Sequence, residues 1–420
     1  MKTGPVWVKT DSLVNEYIVS GKKAFFQGRT GWKSRSRWDG LWAPPFKLLS
    51  GLRFGFNLEP HNHWLDEASR FEFTGWMARH QFQPVEDIRA EIDVTIPEFI
   101  PAGTFVLKIA NEGSEERTVR AFVDFTPEIR APESEAIDHD YETWWDQEHL
   151  SVVTKRHSHP VHLFVYSPSF TGTCRLGDFD GELNTQGLPK TDGVNHRQHV
   201  AGRCWLEVLH RQLQPGSVQG LFLGCGSSPA FPSDVYEYFS RLLGSNSDAL
   251  AQKRDLYLSL ISAHSTLRSG DPDLDRSFVG AKMNMEALKF SHPLLGLGVL
   301  SGLPWSTFFQ GRDTCLMTLS MDTYGEFDGV KEILETLEAR RALLPGFSMG
   351  FRYYSGEIPD KLYMDGSAVF KGADVTPLFI LAVDNYLRWS GDRDFLQHIK
   401  HLVRDAAWTF KDHDEDRDGL

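Results

Sequence analysis

Residues 304–314 read PWSTFFQGRDT, and an amphipathic helix pattern begins immediately after them. The stretch predicts an aromatic-rich loop that carries an Arg-Asp pair, Arg312 and Asp313, to the N-terminus of a helix. Flat aromatic faces suit a pyranose ring, and charged side chains suit its hydroxyl groups. A similar loop precedes residue 377, and a shortened one closes the sequence. This recurrence predicts a helical domain whose loops form a sugar-binding cleft.

Helical periodicity extends outward from this stretch, beginning at residue 271. Five helices are predicted, over residues 276–290, 314–325, 329–343, 377–389 and 392–411. Ser390-Gly391-Asp392 marks the start of the last helix, and Thr376-Pro377 opens the fourth with a capping residue followed by proline. The last helix has the clearest apolar face, which consists of Phe395, Ile399, Leu402, Val403, Ala406, Ala407 and Phe410.

Before residue 228 the pattern alternates between apolar and polar residues, with Gly, Pro and Asn between the runs. Many short strands in succession predict an antiparallel β-sandwich. The predicted strands are 71–74, 91–96, 105–109, 119–125, 162–166 and 221–224, and a turn at 214–217 precedes the last one. The sequence therefore predicts a multidomain β + α protein, with a β-sandwich domain over 1–228, linker helices over 229–270 and a helical domain over 271–420.

The composition is that of an ordinary water-soluble protein. The chain has 420 residues, of which 41% are hydrophobic and 24% charged, and this length favours two domains. Its formal net charge of −13 argues against nucleic acid or an anionic membrane as the main partner. A neutral substrate fits that charge, and the oligomeric state is left open.

The four cysteines, Cys174, Cys204, Cys225 and Cys315, are scattered and show no CxxC spacing. A metal cluster and a disulfide framework are both disfavoured, so a reducing compartment is the simpler interpretation. Charged residues follow the first five residues where a signal peptide would have an apolar segment, and no later stretch is long and apolar enough to cross a bilayer. We therefore expect a cytoplasmic protein.

Helix order predicts where the loops meet. Short connections make successive helices antiparallel, so the second and fourth helices point the same way. The loops that precede them, 303–313 and 345–376, then gather at one end, where helix N-termini offer N–H groups and a positive dipole. These two loops contain the most site-like residues of the chain, namely Trp305, Arg312 and Asp313, then Arg352, Tyr353, Tyr354, Glu357, Tyr363, Asp365 and Asp374.

A set of short motifs resembles the bacterial glycogen-debranching (amylo-α-1,6-glucosidase) branch of the six-hairpin glycosidases. The set spans about a third of the chain in the family's order. The N-terminal segment from Ser36 to Leu41, with Pro44-Pro45, is only faintly similar to the family's sandwich domain. The motifs are Gly311-Arg312-Asp313-Thr314, Gly356-Glu357-Ile358-Pro359, Ala373-Asp374-Val375-Thr376-Pro377-Leu378-Phe379, Tyr386 with Ser390-Gly391-Asp392, and Asp416-Arg417-Asp418-Gly419-Leu420.

The resemblance implies an α/α toroid of six helical hairpins, of which this sequence supplies only a part. It also implies a general-acid Asp shortly beyond the Asp-Gly-Leu segment and a second carboxylate near the family's C-terminal end. Both positions would follow Leu420, so the catalytic residues stay unknown. We expect a fragment, a chain completed by a second polypeptide, or an inactive protein. In isolation it is expected to hydrolyse no α-glucoside at a useful rate, and its uncovered apolar helix faces predict poor solubility or self-association.

Family members of this kind place an Arg-Asp pair against the hydroxyls of the terminal glucose, which implies that role for Arg312 and Asp313. The competing interpretation is that Asp313 only caps its helix while Arg312 is solvated. Asp374 lies two residues before Thr376. If Thr376 caps the helix, Asp374 is available for sugar binding, or else it is a solvated loop carboxylate.

Two further residues are candidate substrate ligands. Trp305 is the best stacking candidate of the aromatic loop, although aromatic residues of this kind are more often part of a core. Glu357 is a sugar ligand or a solvated loop charge. The tail from Asp414 to Gly419 matches the first part of a calcium-binding loop but lacks the later glutamate, which favours a polar turn. The histidines complete no metal site.

These observations predict a cytoplasmic glycoside hydrolase of the debranching type that acts on α-glucosidic bonds by inversion, with an oligo- or polysaccharide (α-glucan) as its partner. Arg312, Asp313 and Asp374 would hold the sugar, and the chemistry needs neither a metal nor an organic cofactor. One alternative is a six-hairpin glycosidase for trehalose-like, mannosyl or rhamnosyl substrates. Another is a non-catalytic carbohydrate-binding protein.

Overall fold

A computed structural model describes residues 8–10, 14–131, 141–158, 161–170, 173–177, 182–188, 197–198, 203–228 and 246–414. The chain forms two compact units, Met1–Leu256 and Tyr257–Leu420. The division at residues 228 and 271 stays a prediction, and residues 229–245 of the expected linker lie outside the described ranges.

The first unit contains two large antiparallel sheets. One has ten described strands in the order β1 (Val8–Thr10), β7 (Arg70–Phe73), β8 (Met77–Val85), β9 (Ile88–Thr95), β10 (Ala102–Asn111), β18 (Val218–Ser228), β14 (His162–Tyr166), β13 (Ser151–Arg156), β12 (Tyr141–Asp146) and β16 (Arg197–Gln198). The other runs β15 (Cys174–Gly177), β17 (Arg203–Leu213), β11 (Arg117–Arg130), β5 (Phe46–Leu58), β4 (Gly40–Ala43), β3 (Phe25–Arg29) and β2 (Glu16–Ser20), with β6 (His61–Trp64) beside β5.

The alternating pattern places one face of each sheet in a shared core. In β10 the side chains of Phe105, Leu107 and Ile109 are buried, and they join one apolar cluster with Phe54 and Phe56 of β5 in the other sheet. Strands have a side-chain period of two, so each contributes alternate residues to this core. All six predicted strand segments fall on observed strands, and the expected antiparallel β-structure is confirmed in this half of the chain.

Helices dominate the second unit. The first described helix, α1 (Asn246–Ala263), contains the boundary between the units. The remaining helices are α2 (Pro272–Leu288), α3 (Gly311–Tyr324), α4 (Phe327–Ala339), α5 (Val375–Ser390) and α6 (Arg393–His413). The last five correspond to the predicted helices within a few residues at each end. Their shared core includes Met321, Ile333, Phe379 and Ile399.

The junction between α5 and α6 forms as its sequence predicts. Gly391 adopts a left-handed φ of 69°, and the Asp392 carboxylate accepts a hydrogen bond from the Phe395 N–H at 2.9 Å. The predicted apolar face of α6 is too wide, because Ala407 and Phe410 are exposed whereas Phe395 and the other residues of the stripe up to Ala406 are buried or half-buried.

The prediction that Thr376 caps the fourth helix is wrong. The helix already begins at Val375, and the residue at the N-cap position is Asp374, whose side chain makes no capping hydrogen bond. The Thr376 hydroxyl instead accepts a hydrogen bond from the Ile358 N–H at 3.1 Å. The Thr376 hydroxyl, which we expected to cap the helix, is therefore hydrogen-bonded to the backbone at Ile358.

The segments between the helices contain strands that the sequence interpretation missed. In particular, the predicted aromatic loop before α3 contains a strand, β21 (Ser306–Gln310), in which Thr307 and Phe309 are buried and the alternate residues are half-exposed. A five-stranded sheet runs β19 (Lys289–His292), β20 (Gly296–Gly302), β21 (Ser306–Gln310), β24 (Lys361–Leu362) and β25 (Ala368–Val369), and a separate hairpin pairs β22 (Gly346–Ser348) with β23 (Phe351–Tyr353).

Among the helices in the described ranges, none combines the length and the apolar character needed to cross a membrane.

Candidate functional site

Arg312 and Asp374 meet at the starts of two helices. Arg312 lies in the first turn of α3, and Asp374 directly precedes α5. The guanidinium donates from Nε to Asp374 Oδ2 at 2.6 Å and from Nη2 to Oδ1 at 2.8 Å. The two side chains remain 43% and 50% exposed, so the pair stays open to solvent. The helix-order argument predicted that these residues, 62 positions apart, would lie at one end, and the structure brings them into contact.

The start of α3 is fixed by a close backbone approach. The Gly311 N–H donates to the Asp360 carbonyl at 2.8 Å. A Cβ atom at Gly311 would lie 2.2 Å from the carbonyl oxygen of Pro359, a separation that real side chains essentially never show. Only glycine therefore allows the helix to begin against this segment. The resulting contact fixes the position from which the Arg312 side chain extends at the start of the helix.

Three carboxylates surround the single guanidinium. The hydrogen bond and the charge of Asp374 raise the pKa of Arg312, and the charges of Asp360 and Asp313 raise it further. In turn, the Arg312 hydrogen bond lowers the pKa of Asp374. A Cβ at Gly372 would lie 3.1 Å from Asp360 Oδ1 and 3.3 Å from Asp374 Oδ1, so both carboxylates border the same small space. The site is thus net acidic, with one fork of N–H donors at its centre.

Asp313 occupies the first turn of α3, after the N-cap residue Gln310. The helix begins before Asp313, so Asp313 is not the N-cap residue of α3, and its half-exposed side chain lies beside that of Arg312 in sequence. An acidic residue in a first turn also interacts favourably with the helix dipole. The structure therefore leaves Asp313 in the cluster without assigning it a ligand.

The aromatic residues before α3 separate into three environments. Phe309 is buried in the core of the small sheet, whereas Trp305 is 54% exposed in the turn before β21. Phe308 packs against Tyr363 with ring centroids 5.2 Å apart, and Lys361 Nζ lies 5.1 Å from the Phe308 ring centre. An extended strand advances about 3.3 Å per residue, so Trp305 lies roughly 20 Å along the chain from the start of α3. The strand β21 therefore separates Trp305 from Arg312 along the chain.

Glu357 already holds a loop together. Its Oε1 accepts hydrogen bonds from the Tyr354 N–H at 2.6 Å and from His413 Nε2 at 2.8 Å. The imidazole of His413 also contacts the Tyr354 ring edge-on at 4.7 Å, and the Arg352 guanidinium lies over that ring. Both hydrogen bonds use Oε1, and the side chain of Glu357 is only 12% exposed.

Sequence interpretation missed Asp360, His413 and the contact of Phe308 with Tyr363. Asp360 directly follows the Gly-Glu-Ile-Pro motif, and its place beside that motif is the signal that could have identified it. Asp365 lies apart in a turn, where its carboxylate accepts hydrogen bonds from the N–H and hydroxyl of Ser367.

The described residues contain no group of three or more His, Cys, Asp and Glu side chains that could hold a metal ion. Of the calcium-like tail pattern only Asp414 falls in the described range, and residues 416–420 of the last motif also lie outside it. The four cysteines are free thiols in buried positions, and burial raises the pKa of Cys315 to about 12.

The fold is similar to those of two solved carbohydrate-active enzymes. One, from the human microbiome, is described as a kojibiose phosphorylase; the TM-score is 0.63 at 8% identity, over 94% of this chain and 57% of that protein. The other is a bacterial glucoamylase in complex with acarbose, with a TM-score of 0.58 at 10% identity, over 91% of this chain and 59% of that enzyme. The chain therefore spans less than two thirds of either protein.

At these identities the likeness establishes the fold alone. It supports a glycosidase-type arrangement of β-sheets followed by helical hairpins, in the coarse form that the sequence predicted. No protein-family profile matches the chain, and no curated protein matches it in sequence.

Proposed function

We propose that this chain belongs to a glycoside hydrolase of the glycogen-debranching (amylo-α-1,6-glucosidase) type that acts on α-glucosidic bonds. In this proposal Arg312, Asp313 and Asp374 hold the terminal sugar of an α-glucan. The observation that carries the proposal is the half-exposed, bidentate pair of Arg312 and Asp374 at the starts of two helices.

The chemistry of this pair suits a ring of hydroxyl groups. A guanidinium has five N–H donors, and Asp374 uses two of them, which leaves three for a ligand. The carboxylates of Asp374, Asp313 and Asp360 supply acceptors beside those donors. Vicinal hydroxyls of a sugar both donate and accept, so alternating donors and acceptors are the complement that they require.

The proposed reaction is inversion at the anomeric carbon. A carboxylic acid protonates the leaving oxygen, while a carboxylate on the opposite face activates water. We assign Arg312, Asp313 and Asp374 to binding and orientation, which accelerate a reaction by fixing the reactive geometry. The proton-transfer residues are not assigned among the described residues. This chemistry uses acid and base groups alone and calls for neither a metal nor an organic cofactor.

Trp305 and Glu357 complete the proposed ligand set. Because β21 separates Trp305 from the start of α3, we propose that its ring contacts a sugar unit further along the glucan. Glu357 would use Oε2, since Oε1 is engaged by Tyr354 and His413. The proposal therefore favours an oligosaccharide over a free monosaccharide.

The fold supports this proposal at the level of enzyme class. The similar proteins are described as acting on kojibiose and as binding acarbose, respectively. The debranching specificity rests on the sequence resemblance. A glycosidase for other sugars, or a protein that binds glucan without cleaving it, remains the rival.

Sugar binding is tested first with the full chain. Isothermal titration with maltotetraose should show affinity that falls roughly tenfold or more in Arg312→Lys and in Asp374→Asn, since each loses a charge-assisted contact. The matched controls are Arg388→Lys and Asp384→Asn, because that exposed Arg-Asp pair lies on the side of α5 with Nε and Oδ2 2.7 Å apart. Equal losses in both pairs, or none in the first, would contradict the proposed site.

The reaction is tested separately by incubating the chain with panose and glycogen limit dextrin. Release of β-glucose, followed by NMR before mutarotation, would support inverting hydrolysis. Release of glucose 1-phosphate only when phosphate is present would show phosphorolysis instead. Binding without cleavage is the outcome expected of this chain on its own, so it would leave the Arg312–Asp374 site intact and would not separate the enzyme from the carbohydrate-binding alternative.

A further inference from the structure

The β-sandwich unit contains a polar cavity that the proposed function does not use. Its volume is about 380 Å³, and it opens between the loop that begins at Lys33 and strands β5, β11 and β17. One carboxylate, Glu128, lines it, together with three serines and a threonine. The cationic lining residues are Lys33, Arg37, Lys47, Arg53 and Arg203. Five cations in one cavity contrast with the net charge of −13 of the whole chain.

Three of these cations are held in place by neighbouring carboxylates, of which only Glu128 lines the cavity. Arg53 pairs with both oxygens of Asp66 at 2.9 and 2.6 Å. Arg203 donates to the buried carboxylate of Asp124. Lys47 is completely buried, and its Nζ lies 2.8 Å from Glu128 Oε2. These contacts give the cationic wall a fixed geometry before any ligand arrives.

The other two cations lie on a loop that a buried aspartate organises. The Asp39 carboxylate accepts hydrogen bonds from the N–H groups of Arg35 and Ser36, at 2.8 and 3.0 Å. Lys33 and Arg37 both line the cavity, and within the described ranges neither has a carboxylate within ion-pair distance. Arg37 rests over the Trp38 ring with its guanidinium carbon 4.6 Å from the ring centre.

An irregularity in the sheet borders the cavity. The register between β11 and β5 shifts between Asp124 and Thr126, opposite Gly51. Gly51 has a φ of +61° and lines the cavity, and a Cβ placed there would meet only the Thr126 hydroxyl, at 3.9 Å. A bulge of this kind bends a strand and re-aims its side chains. The bulge thus forms part of the cavity wall.

We propose that this cavity binds a tetrahedral oxyanion of the phosphate class, either inorganic phosphate or the phosphomonoester of a sugar. Arginine forks and lysines are the side chains that recognise phosphate oxygens, and serine and threonine hydroxyls add further donors. Small-molecule sites begin at about 300 Å³, so the cavity has room for a sugar phosphate as well as for the ion alone. The unpaired Lys33 and Arg37 supply the positive charge that a ligand would neutralise.

The test uses the full chain and the double variant Lys33→Gln/Arg37→Gln. Arg35→Gln is the matched single-charge control, because Arg35 lies on the same exposed loop but does not line the cavity. Titrations are run with glucose 6-phosphate, inorganic phosphate and glucose, each against sodium chloride of equal ionic strength. Unliganded thermal midpoints establish that the variants fold equally well, as expected for exposed positions.

We expect saturable binding of at least one phosphate compound by the wild type and by Arg35→Gln, and roughly tenfold or greater weakening in the double variant. Binding of glucose 6-phosphate alone would identify a sugar phosphate as the source of the anion, and equal binding of inorganic phosphate would identify the free ion. Failure of both to bind, the same response to sodium chloride, or equal affinity in the double variant would overturn the proposal.

Discussion

Replacing Asp322 by asparagine should stabilise the protein at neutral pH. Asp322 lies in α3 and is completely buried in the helical unit. Its Oδ2 accepts a hydrogen bond from Asn385 Nδ2 at 2.7 Å, whereas its buried Oδ1 has no hydrogen-bond partner among the described residues. Burial raises the pKa of this carboxyl from 3.8 to about 6, and the Asn385 hydrogen bond only partly opposes the rise. An ionised Asp322 therefore destabilises the fold.

The size of the effect follows from the pKa shift. A rise of about two units corresponds to roughly 3 kcal/mol, at about 1.4 kcal/mol for each unit. The raised pKa means that the folded state holds the proton more tightly. Below the unfolded value of 3.8 both states are protonated and nothing is lost. As the pH rises from 3.8 to about 6 the stability falls, and above about 6 the full penalty applies.

Urea denaturation of wild type and Asp322→Asn at several pH values measures this difference. We expect the variant to be more stable by about 1 kcal/mol at pH 4.5 and by roughly 3 kcal/mol above pH 7, since the amide keeps the acceptor for Asn385 but cannot ionise. Asp384→Asn is the control, because this aspartate is exposed on α5 and should change stability by only about 0.5 kcal/mol. A variant that is less stable than wild type at pH 8, or a difference independent of pH, would refute the argument.

Three further predictions concern the helical unit. Asp392→Ala removes the N-cap of α6 and should lower the free energy of unfolding by about 1–2 kcal/mol in urea titrations at pH 7; an unchanged midpoint would contradict the capping role. Gly311→Ala places a methyl group 2.2 Å from a backbone carbonyl oxygen and should destabilise by about 1–3 kcal/mol in the same assay, whereas an unaffected midpoint would mean that α3 can start elsewhere. Leu381 and Leu396 line an apolar groove of about 440 Å³ between α5 and α6, so Leu381→Lys/Leu396→Lys should reduce self-association in sedimentation velocity. Sedimentation unchanged by the double variant would exclude the groove as the contact.

The β-sandwich could be predicted because each of its strands shows an alternating apolar pattern in its own sequence. Phe105, Leu107 and Ile109 alternate with polar or less buried neighbours, and this period of two survives in any sheet that buries one face. The turn at 214–217 could also be predicted from local sequence, because Gly216 provides the positive φ that the turn requires. By contrast, strand order depends on long-range pairing. For example, β10 pairs with β18 more than a hundred residues later, and no short pattern encodes that contact.

The strands between the helices were not predicted, because most of them are too short or too irregular to show a clear alternating pattern. β24 and β25 contain two residues each, too few to show a period. The five residues of β21 do alternate, yet their aromatic content suggested a loop. The capping error at Thr376 has a related cause. Its hydroxyl binds the Ile358 N–H, and that partner becomes visible only when the preceding loop is folded back onto α5.

The candidate site also has one part that could be predicted from the sequence and one part that depends on long-range contacts. Helix order placed Arg312 and Asp374 together correctly, because parity depends only on the number of helices and the length of their connections. It could not indicate Asp360, whose backbone carbonyl receives the Gly311 N–H through the contact between α3 and the segment before β24. That contact adds a third carboxylate near the guanidinium and makes the cluster more acidic. The acidity matters for function, because an acidic cluster with one donor fork favours polyhydroxyl ligands and repels anionic ones. A sugar phosphate bound in the basic cavity of the β-sandwich would therefore be disfavoured at the Arg312–Asp374 site, so each site should select a different ligand class.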